Sequence, residues 1–95
     1  MDRREYTKAR KRFEELVKLQ ERVLGPEDAD VASTLANLGA TLVSSNRERE
    51  AIPVFERALA IRLKRSGPDH QDTLVVMQGL ANGYEDVGRF DEAID

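Results

Sequence analysis

Residues 23–39 read VLGPEDADVASTLANLG, and 42 residues further on the frame Gly25-Pro26 to Asp30 returns as Gly67-Pro68 to Asp72 within SGPDHQDT, residues 66–73. The echo extends in both directions. Phe13-Glu14 reappears as Phe55-Glu56, Leu38 as Leu80, and Arg47 with Glu50-Ala51-Ile52 as Arg89 with Glu92-Ala93-Ile94. A fixed period of about 20 to 50 residues marks one supersecondary unit copied and stacked, because a single unit cannot cover its own hydrophobic face. Stacks of this kind work mainly by adhesion, not by chemistry.

Gly-Pro is helix punctuation: Gly supplies the left-handed terminal residue and Pro cannot continue the ladder. The spacing of apolar residues between these breaks predicts helices over about 4–24, 29–45, 48–66, 71–87 and 89–95. The first carries Ala9, Phe13, Leu16, Val17 and Val23 as one stripe. The second carries Ala32, Leu35, Leu38 and Leu42, with small Gly39 beside Leu38 where a neighbour approaches closely. The third carries Ala51, Phe55, Ala58, Leu59 and Arg62, and the fourth Leu74, Met77, Leu80, Ala81 and Tyr84. Asp28 stands where a cap accepts orphan amide protons. Asn46 aligns with Gly88, and both residue types tolerate the left-handed conformation of a helix stop. Pro53 falls inside the third helix, where it costs about 3 kcal/mol in an ideal interior, so a bend is expected near Arg49.

At 95 residues, 40% hydrophobic and 35% charged, the chain builds one small domain. Two tyrosines, three phenylalanines and no tryptophan leave the core to aliphatic residues, which favours helices packing through ridges and grooves. The absence of cysteine excludes disulfides, thiolate nucleophiles and Cys-based zinc sites. Neither a signal-peptide core nor a bilayer-length apolar run is visible, so a soluble, cytoplasmic protein with no membrane partner is expected. Charge is uneven: residues 1–24 hold eight Lys/Arg against five Asp/Glu, residues 69–95 one against seven. A stack with one basic and one acidic end can dock head to tail.

The chemistry-bearing residues do not converge. His70, the single histidine, aligns with Asp28 ahead of a helix and has no nucleophile or orienting partner spaced for catalysis, so a capping or surface role is expected. Carboxylate pairs such as Glu14-Glu15 lie on helix faces without a histidine or a phosphate loop, which leaves metal, nucleotide and other cofactors unsupported. The run Lys8 to Arg12 is diluted by Glu14 and Glu15 and has no interleaved aromatic platform, so nucleic acid is not an expected partner.

The spacing Leu35, Leu38-Gly39, Leu42, Ala51, Phe55, Ala58, repeated as Met77, Leu80-Ala81, Tyr84, Phe90, Ala93, resembles the tetratricopeptide repeat, in the long 42-residue variety of the kinesin light chain. The resemblance runs from about Glu5 to Asp95. Glu48 departs from it, standing where Phe90 keeps the usual aromatic, so a looser turn is expected there. The family implies an all-α fold of antiparallel helix pairs stacked as a right-handed superhelix, here about two repeats plus partial ends with exposed apolar surface. It further implies a concave groove lined by the first helix of each repeat, 29–45 and 71–87. The implied contacts are Ser33, Ala36, Asn37, Ala40 and Ser44 in one, and Val75, Gln78, Asn82, Glu85 and Asp86 in the other. Of these, Asn37, Gln78 and Asn82 offer both donor and acceptor to an extended backbone.

Neither groove helix carries a lysine or arginine, so the cationic carboxylate clamp of some relatives is not expected on them, and Glu85 with Asp86 favours a basic or amide-rich ligand. The expected function is a non-enzymatic scaffold for a peptide or a partner helix. Two other readings stand beside it: self-assembly through unpaired terminal helices, and sensor repeats within a larger signalling protein.

Overall fold

Each Gly-Pro break is a helix stop in three dimensions. The computed structural model describes the backbone of residues 3–94 and the side chains of residues 4–85, 87 and 88. Four helices occur in order: α1 (Arg3–Leu24), α2 (Ala29–Ser44), α3 (Glu48–Ser66) and α4 (Gln71–Ile94). Gly25 and Gly67 sit at φ of 98° and 86°, where an L side chain would be strained. Asn46 takes the same role after α2 at φ 63°. Around it the Arg47 amide donates to the Leu42 carbonyl (2.8 Å) and the Asn46 amide to Val43 (3.0 Å), the paired bonds of a Schellman ending that satisfy carbonyls the helix leaves open. At the start of α2, Asp28 Oδ1 accepts the Asp30 amide at 2.9 Å. One repeat later His70 Nδ1 accepts the Asp72 amide at 3.1 Å, so the lone histidine caps a helix.

One predicted boundary is absent. Residues expected to form a fourth helix over 71–87 and a fifth from 89 belong to the single helix α4, which runs through Gly88 without a left-handed turn. The stop at Asn46 leads into α3, whose Ala51, Phe55, Ala58 and Ile61 are all buried against neighbours. Glycine permits a left-handed turn without imposing one, and here the backbone ladder continues through residues 89–94. Asp95 lies outside the described residues. Pro53, the other local conflict, is exposed and does not interrupt α3.

Successive helices pack against one another, and α2 also touches α4. The body measures 43 × 33 × 19 Å, and its thin dimension is that of two helix layers at about 10 Å each. One layer holds α1 and α3, joined by an Arg57–Glu21 ion pair at 2.5 Å, and the other holds α2 and α4. At the core, the Phe55 ring lies between two glycines: a Cβ on Gly39 of α2 would stand 2.7 Å from its edge, and one on Gly79 of α4 3.1 Å. The buried threonines keep their hydroxyls paired, Thr34 donating to Gln20 Oε1 at 2.7 Å and Thr73 reaching the Arg62 carbonyl at a long 3.5 Å.

The α2 stripe is buried as predicted, with Val31 added to it. Two other stripes are rotated. In α1, Val17 is buried while Leu16, Leu19 and Val23 are exposed; in α4, Thr73, Val76 and Leu80 are buried while Leu74, Met77 and Tyr84 are exposed. The reason is the number of neighbours. A helix between two others buries two flanks, and a helix with partners on one side buries only the flank that faces them.

At the turn before α2, Lys64 Nζ bonds Glu27 Oε2 at 2.6 Å, and Arg65 Nε donates to the Glu27 carbonyl. The Lys64 hydrogen bond and charge hold the Glu27 carboxyl below its ordinary value of 4.5. A carboxyl with a depressed folded pKa stabilises the fold above its unfolded value, and this contribution is lost as pH falls through the folded value. Glu27→Gln is therefore expected to flatten slightly the fall in melting temperature between about pH 5 and about pH 3, an effect kept small by solvent exposure and erased by salt. Gly39→Ala gains about 1 kcal/mol of helix propensity but drives a methyl into the Phe55 ring, so urea denaturation should show a net loss of about 1–3 kcal/mol. That loss should vanish in a Phe55→Leu background.

Candidate functional site

The layer formed by α2 and α4 presents its outer face to solvent. On α2, Ser33, Asn37, Ala40 and Ser44 are exposed and Ala36 is half-buried; their spacing of four, three and four residues places them on one stripe. On α4, Val75, Gln78, Asn82 and Glu85 are exposed at spacings of three, four and three. The Asp86 side chain lies outside the described residues. The two helices run in the same direction, because each is antiparallel to the α3 between them: Ser33 meets Arg62 and Gly39 meets Phe55 on one side, Asp72 meets Arg62 and Gly83 meets Ile52 on the other. The two stripes therefore lie side by side on one face.

Several of these groups already have partners. Ser33 Oγ accepts from Arg62 Nη2 at 2.5 Å, while Arg62 Nη1 lies 3.7 Å from Asp72 Oδ2. The Arg62 side chain is only 11% exposed, so its stem sits in the core and its guanidinium ties α2, α3 and α4 together. This explains why a charged residue falls on the inner stripe of α3. Gln78 Nε2 donates to Asn82 Oδ1 at 3.1 Å, one turn apart on the exposed face. That bond fixes the amide of Asn82 so that its NH₂ group points away from Gln78, leaving the donor end for another acceptor. The Asn37 carbonyl accepts from Thr41 Oγ1 at 2.9 Å.

A cleft of about 560 Å³ that the sequence did not disclose opens at the C-terminal end of α2, lined by Tyr6, Thr7, Arg10, Ser44, Ser45, Asn46 and Arg47. Its cations come from outside the two groove helices. Antiparallel packing brings Arg10 from the start of α1, and Arg47 from the turn after α2, to the end where Ser44 sits. The signal was the combination of two arginines and four hydroxyls drawn from opposite ends of an antiparallel pair, which no local window contains. Arg47 Nε stands 3.6 Å from Glu50 Oε2, an exposed and weak pairing that leaves the guanidinium accessible. Two guanidiniums with hydroxyls suit a carboxylate or another anionic group.

Among the described residues no cluster of three or more His, Asp or Glu is arranged to hold a metal ion, and no helix is long and apolar enough to cross a membrane. The tetratricopeptide repeat model matches residues 1–64 and again residues 50–95. Two plant proteins are similar over the repeat. Kinesin light chain-related protein 2 of Arabidopsis thaliana is 41% identical over 61 residues, 64% of this chain, and kinesin light chain-related protein 3 of the same plant 35% over 60 residues, 63% of this chain. The chain spans 9% of the length of each.

Asn82 is exposed, and the bond from Gln78 is a surface one. Asn82→Ala is therefore expected to change the unfolding free energy by less than about 0.5 kcal/mol, the loss of one exposed i,i+4 bond. Chemical denaturation of the purified variant checks this.

Proposed function

We propose that this chain, which belongs to the tetratricopeptide repeat family, is a non-enzymatic cytoplasmic scaffold that binds an extended peptide or a partner helix along the face shared by α2 and α4. Tetratricopeptide repeats mediate protein–protein interaction, and the finer assignment rests on one observation. Two exposed, largely polar stripes, Ser33, Asn37, Ala40 and Ser44 on α2 and Val75, Gln78, Asn82 and Glu85 on α4, lie in parallel on adjacent helices.

Small residues dominate the α2 stripe, which lets a ligand backbone approach closely. Asn37, Gln78 and Asn82 supply donors and acceptors to that backbone without reading its side chains, which gives affinity before sequence preference. Preference comes from the charged margins. Glu85 favours a cationic or amide-rich residue on the α4 side, and Arg10 with Arg47 favours an acidic group at the end of α2.

Screening a random peptide library on the immobilised chain, then mapping amide chemical shifts with a selected peptide, tests the reading. Shifts are expected along α2 and α4, with Asn37→Ala and Asn82→Ala each weakening binding about 2- to 10-fold, the worth of one hydrogen bond. Shifts confined to the outer faces of α1 and α3 would refute it.

A further inference from the structure

The cleft at the C-terminal end of α2 lies on the packed flank of α1. Tyr6, Arg10, Phe13 and Val17 recur at spacings of four, three and four residues, one stripe of the helix, and Val17 is buried with Phe13 packed against the core. Tyr6 and Arg10 continue that stripe, half-buried, to the end of α2. One repeat later the position of Arg10 is Ile52, and a Cβ on Gly83 of α4 would stand 3.5 Å from it. A guanidinium thus occupies a place where the copy puts a packing group.

Arg10 has no counter-ion in this cleft. Among the described residues no carboxylate lies within ion-pair distance of it, and none lines the cleft. Its companion Arg47 is held only by the loose 3.6 Å pairing to Glu50. The carbonyls that end α2 do not oppose an anion, because they are already occupied. Ser45 Oγ donates to those of Thr41 and Leu42, and the amides of Asn46 and Arg47 donate to those of Val43 and Leu42.

The volume of about 560 Å³ is that of a small-ligand pocket, far more than one carboxylate fills. Two guanidinium charges match a dianion, whereas a single carboxylate would leave one of them uncompensated. The hydroxyls of Tyr6 and Ser44 and the amide of Asn46 add neutral donors, enough for the three terminal oxygens of a phosphate monoester. Ser44 also belongs to the exposed stripe of α2, so a peptide on that face reaches the cleft. We propose that the cleft binds the phosphate of a phosphorylated side chain on a peptide partner. Its assignment to a peptide rests on the groove reading, through Ser44; the phosphate site rests on the cleft alone.

Titrating the isotope-labelled chain at constant ionic strength with N-acetyl phosphoserine amide, N-acetyl glutamate amide and inorganic phosphate tests the site. Amide shifts are expected at Tyr6, Arg10 and Ser44 to Arg47, with the phosphoserine probe binding at least about 10-fold more tightly than the glutamate probe. Arg10→Gln should weaken phosphoserine binding by about 10-fold or more, and Arg10→Lys by less, since it keeps the charge and loses the fork. Arg22→Gln, an exposed change elsewhere on α1, should leave binding unaltered. Should Arg10→Gln lose helical circular dichroism, Arg47→Gln on the exposed turn carries the same test.

A random peptide library with a fixed phosphoserine, set against the same library carrying serine, supplies the peptide arm. Retention on the immobilised chain should require both the phosphate and Arg10. Glutamate binding as tightly as phosphoserine would mark a carboxylate site and overturn the proposal. So would a cleft that shows no shifts, or inorganic phosphate binding with no retention of the phosphorylated library, the mark of a site for free phosphate. A retained phosphopeptide that shifts the cleft but neither stripe upholds this proposal and refutes the groove reading; one that shifts the stripes and not the cleft does the reverse.

Discussion

The Phe55 ring holds the two repeats in one body. It enters the space left by two missing side chains, Gly39 on α2 and Gly79 on α4, and so touches the first helix of its own repeat and of the next. A ring 5% exposed at this junction contributes about 1.5–3 kcal/mol of burial, and it also sets how closely α2 and α4 approach. The face they share results from that approach. Arg62 acts at the N-terminal end of the same two helices, with its stem inside and its guanidinium between Ser33 and Asp72. An aromatic clamp and a cationic clamp thus position the stripes to which ligand binding is assigned.

The division of labour between layers has a simple origin. Helices α1 and α3 contribute bulk and ion pairs, Arg57 to Glu21 and Lys64 to Glu27, while α2 and α4 contribute small and amide residues to solvent. A surface of Ser, Asn, Ala and Gln loses little by meeting a ligand backbone, since those side chains are short or already hold one rotamer through a local bond such as Gln78 to Asn82. The apolar flanks of α1 and α4 belong to another kind of surface. Leu16, Leu19 and Val23 on α1 and Leu74, Met77 and Tyr84 on α4 are large apolar side chains that stand exposed.

The 42-residue period, the Gly-Pro stops, the Asp28 and His70 caps, the buried stripe of α2 and the helical repeat class were all legible along the chain, because each depends on a few residues acting within one or two turns. Membership in the repeat family was legible for the same reason. The stripes of α1 and α4 were not: periodicity finds an apolar side of a helix but not which part of that side has a neighbour. Leu74, Met77 and Tyr84 look like core in sequence and lie open in the structure.

Three matters were left to the tertiary structure. Whether Gly88 ends a helix was the first: glycine allows the left-handed turn without requiring it, and the ladder runs through it to Ile94. Gly79 as the second wall of the Phe55 pocket lies outside the 42-residue correspondence, since its counterpart is Asn37. The cleft joining Arg10 to Ser44 and Arg47 links residues more than 30 apart, through antiparallel packing alone. Local composition fixes where helices begin and end, because hydrogen bonds and dihedral limits act over a few residues. Which faces meet, and which charges end up side by side, is decided by burial summed over the whole stack.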